Sequence, residues 1–247
     1  MTTLNKSNFI IPNWPAPPNV IALQTTRTGG LSQSPYDSLN FGDHVGDDNI
    51  MVVRNRQLLN AYVPSEPVWL KQIHSTIAVN VADTLCLPEA DAAYSTRKNA
   101  VCAVMTADCL PILLCDEAGT AVAAIHAGWR GLLDGVIEST LKALATDPQH
   151  LLVWLGPAIG PNAFEVGLDV YEGFIEQDSR SKNAFAAQST PNKWLGDIYQ
   201  LARLRLQNLR VSRIYGGDYC TYTEKERFFS YRRDGNTGRM ATLIWIQ

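Results

Sequence analysis

Apolar positions along this chain follow two rhythms. Short runs rich in β-branched and aromatic residues occur at 20–23, 68–73, 77–81, 100–105, 112–115, 121–125, 151–155, 213–215 and 241–246. Each is bounded by Gly, Pro, Asn or Asp or by a change of pattern, and each reads as a β-strand. A spacing near 3.6 residues at 49–61, 131–145 and 194–209 predicts three helices. In the second, Leu132, Leu133, Val136, Ile137, Leu141 and Leu144 share one side, which places that side on a sheet and Asp134, Glu138 and Lys142 toward water. Residues 177–192 are polar except for Phe185 and read as a surface excursion between helices.

Several strands follow one another directly in the middle of the chain, so a strict β-α-β alternation is missing. The pattern predicts an α/β sandwich with a mixed β-sheet rather than a doubly wound parallel sheet. With no low-complexity tract, long charged block or repeat, the 247 residues are expected to form one domain over 1–247.

Composition narrows the partners. Hydrophobic residues make up 46% and charged residues 18%, with a formal net charge of −3 and a pI near 5.8. That balance offers no broad positive field for a phosphate backbone, so a small-molecule substrate is expected rather than nucleic acid. The first residues lack the basic start and apolar run of a signal peptide, and no run approaches a membrane span, so the expected location is cytoplasmic. The five cysteines, Cys86, Cys102, Cys109, Cys115 and Cys220, include no CxxC pair and are expected to be thiols, most of them buried. Oligomeric state is not encoded legibly.

Three soft donors occupy comparable places. His74 follows VWLKQI, His126 follows TAVAAI, and Cys109 follows AVCAVM before Leu110 and Pro111 interrupt the pairing. Strand ends on one side of a sheet are where distant side chains can be held together. Two imidazoles and a thiolate suit zinc and leave a fourth position for water. The plain reading of each residue is a packed thiol or a hydrogen-bonded histidine, and spacing alone does not decide between the two. A further alternative is a closed structural site in which Cys102 or Cys115 adds a thiolate, with no catalysis. LGPAIG (155–160) and FSYRR (229–233) stand out as a glycine-flanked turn and a guanidinium pair; GxxxxGK[ST] and GxSxG are missing.

TADCLP (106–111) and HAGWRG (126–131) carry a resemblance to the multicopper-polyphenol-oxidase or laccase-domain family. The match extends through TRTGGLS (26–32), PYDSLNFG (35–42), NR (55–56), VWLKQIHS (68–75), ADAAYS (90–95), GPAIG (156–160), FEVG (164–167), FFSYRRD (228–234) and TGR (237–239), nearly the whole chain. The resemblance implies a metal site on His74, Cys109 and His126, with zinc or copper as cofactor, and a fold related to a bacterial toxin's Cys-His deamidase domain. It also implies one of several activities: phosphorolysis of adenosine, inosine and methylthioadenosine with adenosine deamination, peptidoglycan-precursor editing by an amide hydrolase, or polyphenol oxidation. For purine chemistry, Asp91 and Asp108 are candidate proton carriers, with turn or imidazole-holding roles as their plain reading. Arg27, Gln72, Arg130 and Arg232, with the helix start near Gly131, are candidates for binding substrate and phosphate. A metal-free Cys109 nucleophile with His126 as base is the chemical alternative. Blue-copper chemistry wants an axial Met, and these motifs contain none. Ser75 stands where the family pattern has Gly, which predicts a slightly narrower pocket.

Overall fold

A computed structural model of the chain describes residues 3–84 and 87–247, so Cys86 lies outside the described residues. The first half runs β1 (Phe9–Ile10), β2 (Val20–Thr25), α1 (Asn49–Leu59), β3 (Ala78–Asn80), β4 (Ala92–Ser95), β5 (Cys102–Thr106), β6 (Leu110–Asp116) and β7 (Val122–Ala127). It continues through α2 (Trp129–Asp134), α3 (Val136–Leu144), β8 (Leu151–Leu155), β9 (Glu165–Val166), α4 (Leu168–Gln177), β10 (Phe185–Ala187), β11 (Trp194–Gly196), α5 (Ile198–Asn208), β12 (Arg213–Gly216), α6 (Tyr231–Asp234) and β13 (Met240–Ile246).

The strands build a six-stranded sheet in the order β12-β8-β6-β7-β4-β3, a four-stranded sheet in the order β1-β2-β13-β5, and a small β10-β11-β9 sheet. The four-stranded sheet is antiparallel throughout. In the six-stranded sheet β12–β8 and β3–β4 are parallel and the rest antiparallel. The fold is therefore a single-domain α/β sandwich with mixed sheets, as the pattern of strands predicts.

Both faces of both large sheets are covered, and the period of two along each strand divides the core accordingly. In β6, Ile112 and Leu114 pack with Leu132, Val136, Ile137 and Leu141 of the helices, while Leu113 and Cys115 pack with Val104, Ile244 and Ala22 of the four-stranded sheet. The far face of that second sheet, Leu23, Ala103, Met105 and Leu243, is covered by Leu39, Phe41, Leu59 and Trp69. Buried Asn55 of α1 ties this outer cover down: its Oδ1 accepts from the Leu31 N–H at 2.8 Å, and its Nδ2 donates to Ser32 Oγ and to the Ser38 and Asn40 carbonyls. Asn55→Ala is expected to destabilise the protein by about 3 kcal/mol, since it strands several buried partners; urea unfolding measures it.

Five expectations change. Residues 68–73 form no strand: they pass beside β5, but the backbone pairing stops at single bridges, Val68 with Cys102 and Lys71 with Glu89, and further on it is the Gln72 side chain, not backbone, that takes up the Met105 N–H and carbonyl. The helix expected over 131–145 is two helices, broken at Gly135 (φ 99°), and Glu138 turns from water to within 3.6 Å of Arg205. Residues 194–196 are the strand β11, and α5 starts only after Asp197, whose side chain accepts from the Gln200 N–H. The excursion at 177–192 is partly structured, with a short 3₁₀ turn over Ser179–Ala184 and then β10. Pro111 lies inside β6 opposite His126, one residue beyond the last β6–β8 pair at Ile112–Leu155, where its missing N–H costs that ladder nothing.

Candidate metal and active site

Two of the three donors sit where the sheets end. Cys109 occupies the turn that carries the chain from β5 in one sheet to β6 in the other, and His126 is the last but one residue of β7. His74 comes from the loop after 68–73, not from a strand end. Their donor atoms all lie within 4.8 Å of one another. Cys109 Sγ is 3.8 Å from His74 Nε2, and the two imidazoles meet edge to face with ring centroids 4.9 Å apart.

Two aspartates hold this geometry. Asp91, fully buried beside β4, accepts from the N–H groups of Ile73, His74 and Ser75 at 3.2, 3.0 and 2.5 Å, and from Ser75 Oγ at 2.7 Å. Its Oδ1 is also 2.8 Å from His126 Nδ1. One carboxylate thus bends the chain at His74, which adopts φ 59°, and fixes the face of His126 that points into the site. Asp108, at φ 91°, accepts from Thr221 Oγ1 and from the Arg232 N–H, both at 2.6 Å, so both its oxygens hold the turn that presents Cys109. Ser75 spends its hydroxyl on Asp91 and lines neither cavity described below, so the expected narrowing of the pocket is not seen.

The charges reinforce one another. Burial pushes the Cys109 thiol up, but the charge and hydrogen bonds of His126 and His74 outweigh it and hold Cys109 below the usual thiol range. Burial likewise disfavours a charged His126, and the Cys109 thiolate and Asp91 reverse that, raising His126. Cys102 and Cys115 differ: both are buried in the apolar layer between the sheets, which pushes Cys115 up to about 12 and Cys102 higher still. They lie outside the donor cluster, so the expected fourth thiolate is not there. Two imidazoles, one of them oriented by a carboxylate, and one thiol held toward its thiolate form are chemically a fit for a zinc-type ion.

The cluster stands between two adjoining cavities that share His74, Ala107, Cys109 and Tyr231. One, of about 250 Å³, is walled by Trp129, Ile159, Phe164 and Ile198, with Asp108 and Arg232 at its edge. The other, of about 410 Å³, is lined by His44, Gln72, Met105, Thr106, His126 and Arg239.

The model of the family described as multi-copper polyphenol oxidoreductase laccase matches residues 21–247. The chain belongs to this family. Family relatives include the purine nucleoside phosphorylase YfiH of Escherichia coli, 54% identical over 97% of this chain and 99% of the relative. The purine nucleoside phosphorylase of Haemophilus influenzae is 50% identical over 96% and 99%. Among solved structures, Neisseria meningitidis protein NMB0706 superposes with a TM-score of 0.95 at 51% identity, covering 97% of this chain and 99% of that one.

The other candidates divide. Gln72 lines the larger cavity, and its amide is committed to the backbone of Met105, donating at 2.8 Å and accepting at 2.7 Å. Arg232 edges the smaller cavity and donates to the Glu165 carbonyl at 2.9 Å. Arg130 is exposed, stacks on Trp129 at 4.5 Å, and lines neither cavity. Arg27 lies apart, paired with Asp37 and stacked on Phe229. Sequence reasoning passed over His44, Met105, Tyr231 and Arg239. Arg239 and Tyr231 stand inside the TGR and FFSYRRD motifs and His44 just after PYDSLNFG, which was the available signal. Among the described residues no helix is long and apolar enough to cross a membrane.

Gly128 closes the site from below: a Cβ there would come within 2.6 Å of His74 Cδ2 and 3.2 Å of Cys109 Sγ. Gly128→Ala is expected to push His74 aside and weaken metal binding by about tenfold or more, read by competition with a chromogenic chelator.

Proposed function

We propose that the protein is a zinc-dependent purine nucleoside enzyme, cleaving adenosine, inosine and methylthioadenosine by phosphorolysis and also deaminating adenosine. The carrying observation is the position of the His74, Cys109 and His126 donors at the junction of an apolar-walled cavity and a larger one that carries His44, Gln72 and Arg239. The names of the relatives in Escherichia coli and Haemophilus influenzae support it.

His74 and His126 through their ring nitrogens and Cys109 through its sulfur would hold the ion. Zinc bound there would supply a Lewis acid. The chain's own residues do the rest. Trp129, Phe164 and Ile198 exclude water from the flat face of a base. Asp91 keeps a proton on His126 Nδ1, so the other ring nitrogen faces the site as a donor pair. Asp108 acts as a positioning residue rather than a proton carrier, because both its oxygens are occupied.

The test is to incubate the metal-replete protein with adenosine, with and without phosphate, and to follow adenine, ribose 1-phosphate and inosine. Adenine formed only with phosphate, and inosine formed without it, are the expected results; no product in either arm sinks the reading.

A second reading rests on a separate observation. Cys109, His126 and Asp91 together offer a thiol, an imidazole and an orienting carboxylate, the parts of a metal-free cysteine hydrolase acting on an amide such as that of a peptidoglycan precursor. Metal-stripped protein that still releases an amino acid from a muropeptide precursor would favour it. Copper-based polyphenol oxidation is a third assignment. Met105 lines the same cavity as the cluster but packs in the apolar layer under α1. Elemental analysis of the purified protein separates zinc from copper.

A further inference from the structure

Phosphorolysis needs an anion held beside the sugar, and the arginines singled out in the sequence are poorly placed for that. Arg130 lines neither cavity, and Arg232 is exposed at the edge of the smaller, apolar-walled one, with its Nη1 on the Ala163 and Glu165 carbonyls. A different cation faces the larger cavity. Arg27, Arg56 and Arg205 each have a carboxylate within 4 Å; among the described residues Arg239, like Arg130 and Arg232, has none, and of these three it alone lines the larger cavity. Its Nη1 donates to the Thr237 and Gly238 carbonyls at 2.9 and 3.0 Å, while Nη2 and Nε make no hydrogen bond to the described residues. A half-buried guanidinium with two nitrogens unspent, opening on a cavity, is a built anion receptor.

The side chain is also held in place. The Arg239 N–H donates to Asn40 Oδ1 at 2.8 Å and its carbonyl accepts from the Phe41 N–H at 3.1 Å. Gly42 presses on its stem, since a Cβ there would come within 2.8 Å of Arg239 Cγ. The same loop brings His44 into the cavity, with Nδ1 3.5 Å from Asp43 Oδ1 and Nε2 left over.

We infer that the larger cavity is the seat of inorganic phosphate, gripped by Arg239 with His44, and that the smaller, apolar-walled cavity on the other side of the cluster takes the purine. This rests on the phosphorolysis reading. The ribose then spans the shared wall of Cys109, His74 and Tyr231. A phosphate oxygen forms the bond to C1′ as the C1′–N9 bond breaks; the electron pair leaves with N9, and the proton of monohydrogen phosphate is the one the free purine gains. Placing nucleophile and leaving group in separate adjoining cavities holds them apart until the sugar bridges them.

The probe is inorganic phosphate, with Arg239→Gln, His44→Gln and the conservative Arg239→Lys as variants. In steady-state phosphorolysis of inosine, Arg239→Gln is expected to raise the KM for phosphate by about 30-fold or more and that for inosine by less than about threefold. His44→Gln should give a smaller rise of the same selectivity, and Arg239→Lys a partial recovery. Calorimetric titration of phosphate into the protein without nucleoside gives a readout independent of turnover, and Arg239→Gln should weaken that binding by a similar factor. Equal rises in both KM values, or phosphate binding to Arg239→Gln with wild-type affinity, overturn the assignment. If the wild type binds phosphate through Arg239 yet yields no ribose 1-phosphate, the phosphorolysis reading fails and the anion site stands. If the wild type binds no phosphate, the site itself is wrong. Unchanged thermal midpoints across the variants keep a folding defect from imitating either result.

Discussion

Cys109→Ala is expected to lower turnover by about 10³-fold or more, about 4 kcal/mol of transition-state stabilisation, and to leave the purified protein without a stoichiometric metal ion. The argument is geometric. Cys109 is the only sulfur in a three-donor cluster whose atoms lie within 4.8 Å, and two imidazoles alone make a poor zinc site. The side chain is partly exposed at the wall shared by the two cavities, so its loss costs little packing. Folding should survive, and circular dichroism with thermal unfolding checks that. Kinetics of adenosine and inosine conversion, paired with elemental analysis, measure the effect. Activity that persists within about tenfold of wild type would mean the chemistry happens elsewhere. Metal retained while activity is lost would favour the nucleophile reading of the same sulfur.

The second large effect belongs to a residue expected to touch neither metal nor substrate. Asp91→Asn is expected to destabilise the protein by about 3 kcal/mol and to lower activity together with metal affinity. The buried carboxylate accepts from three N–H groups, the Ser75 hydroxyl and His126 Nδ1, and an amide offers one acceptor oxygen and a donor group in their place. The bend at His74 (φ 59°) then loses the group that holds it.

The pH dependence has a definite sign. Burial raises the Asp91 carboxyl, but the hydrogen bonds from His126 and Ser75 outweigh it and hold it at about 2, below its ordinary 3.8. A carboxyl lowered by folding adds stability above its unfolded value, and loses it as pH falls through the folded value. The stability gap between wild type and Asp91→Asn should therefore be full above about pH 4 and shrink by about 2 kcal/mol toward pH 2. Urea midpoints of both proteins across that window measure it. A gap that widens on acidification would show that Asp91 is not the buried ionised acceptor described.

What the sequence by itself determined is the material of the two layers and the chemical identity of the donors. Runs such as LLVWL and VAAI are apolar at successive positions because both faces of their strands are covered, and that is visible without knowing what covers them. Imidazole and thiol are rare enough here, with four histidines and five cysteines, that placing two histidines and one cysteine at the ends of apolar runs, together with their motifs, was a legible signal. Element ends were less so. The break at Gly135 follows from a positive φ that a 3.6-residue pattern does not register, and the strand character of 194–196 from pairing with 185–187 on one side and with residues 165 and 166 on the other.

Only the tertiary structure decided which polar groups are committed. Asp91 and Asp108 look alike in sequence as acids within a motif, and each has its acceptor capacity consumed by backbone and side chains that only folding delivers. Arg27, Arg130 and Arg232 differ from Arg239 in no property that one dimension records. They differ in where folding sets the guanidinium: Arg27 and Arg130 line neither cavity, Arg232 is exposed at the edge of the smaller one, and Arg239 is half-buried in the wall of the larger. A hydrogen bond acts over about 3 Å, and which groups come that close is set by the stacking of the two sheets and not by the order of residues along the chain.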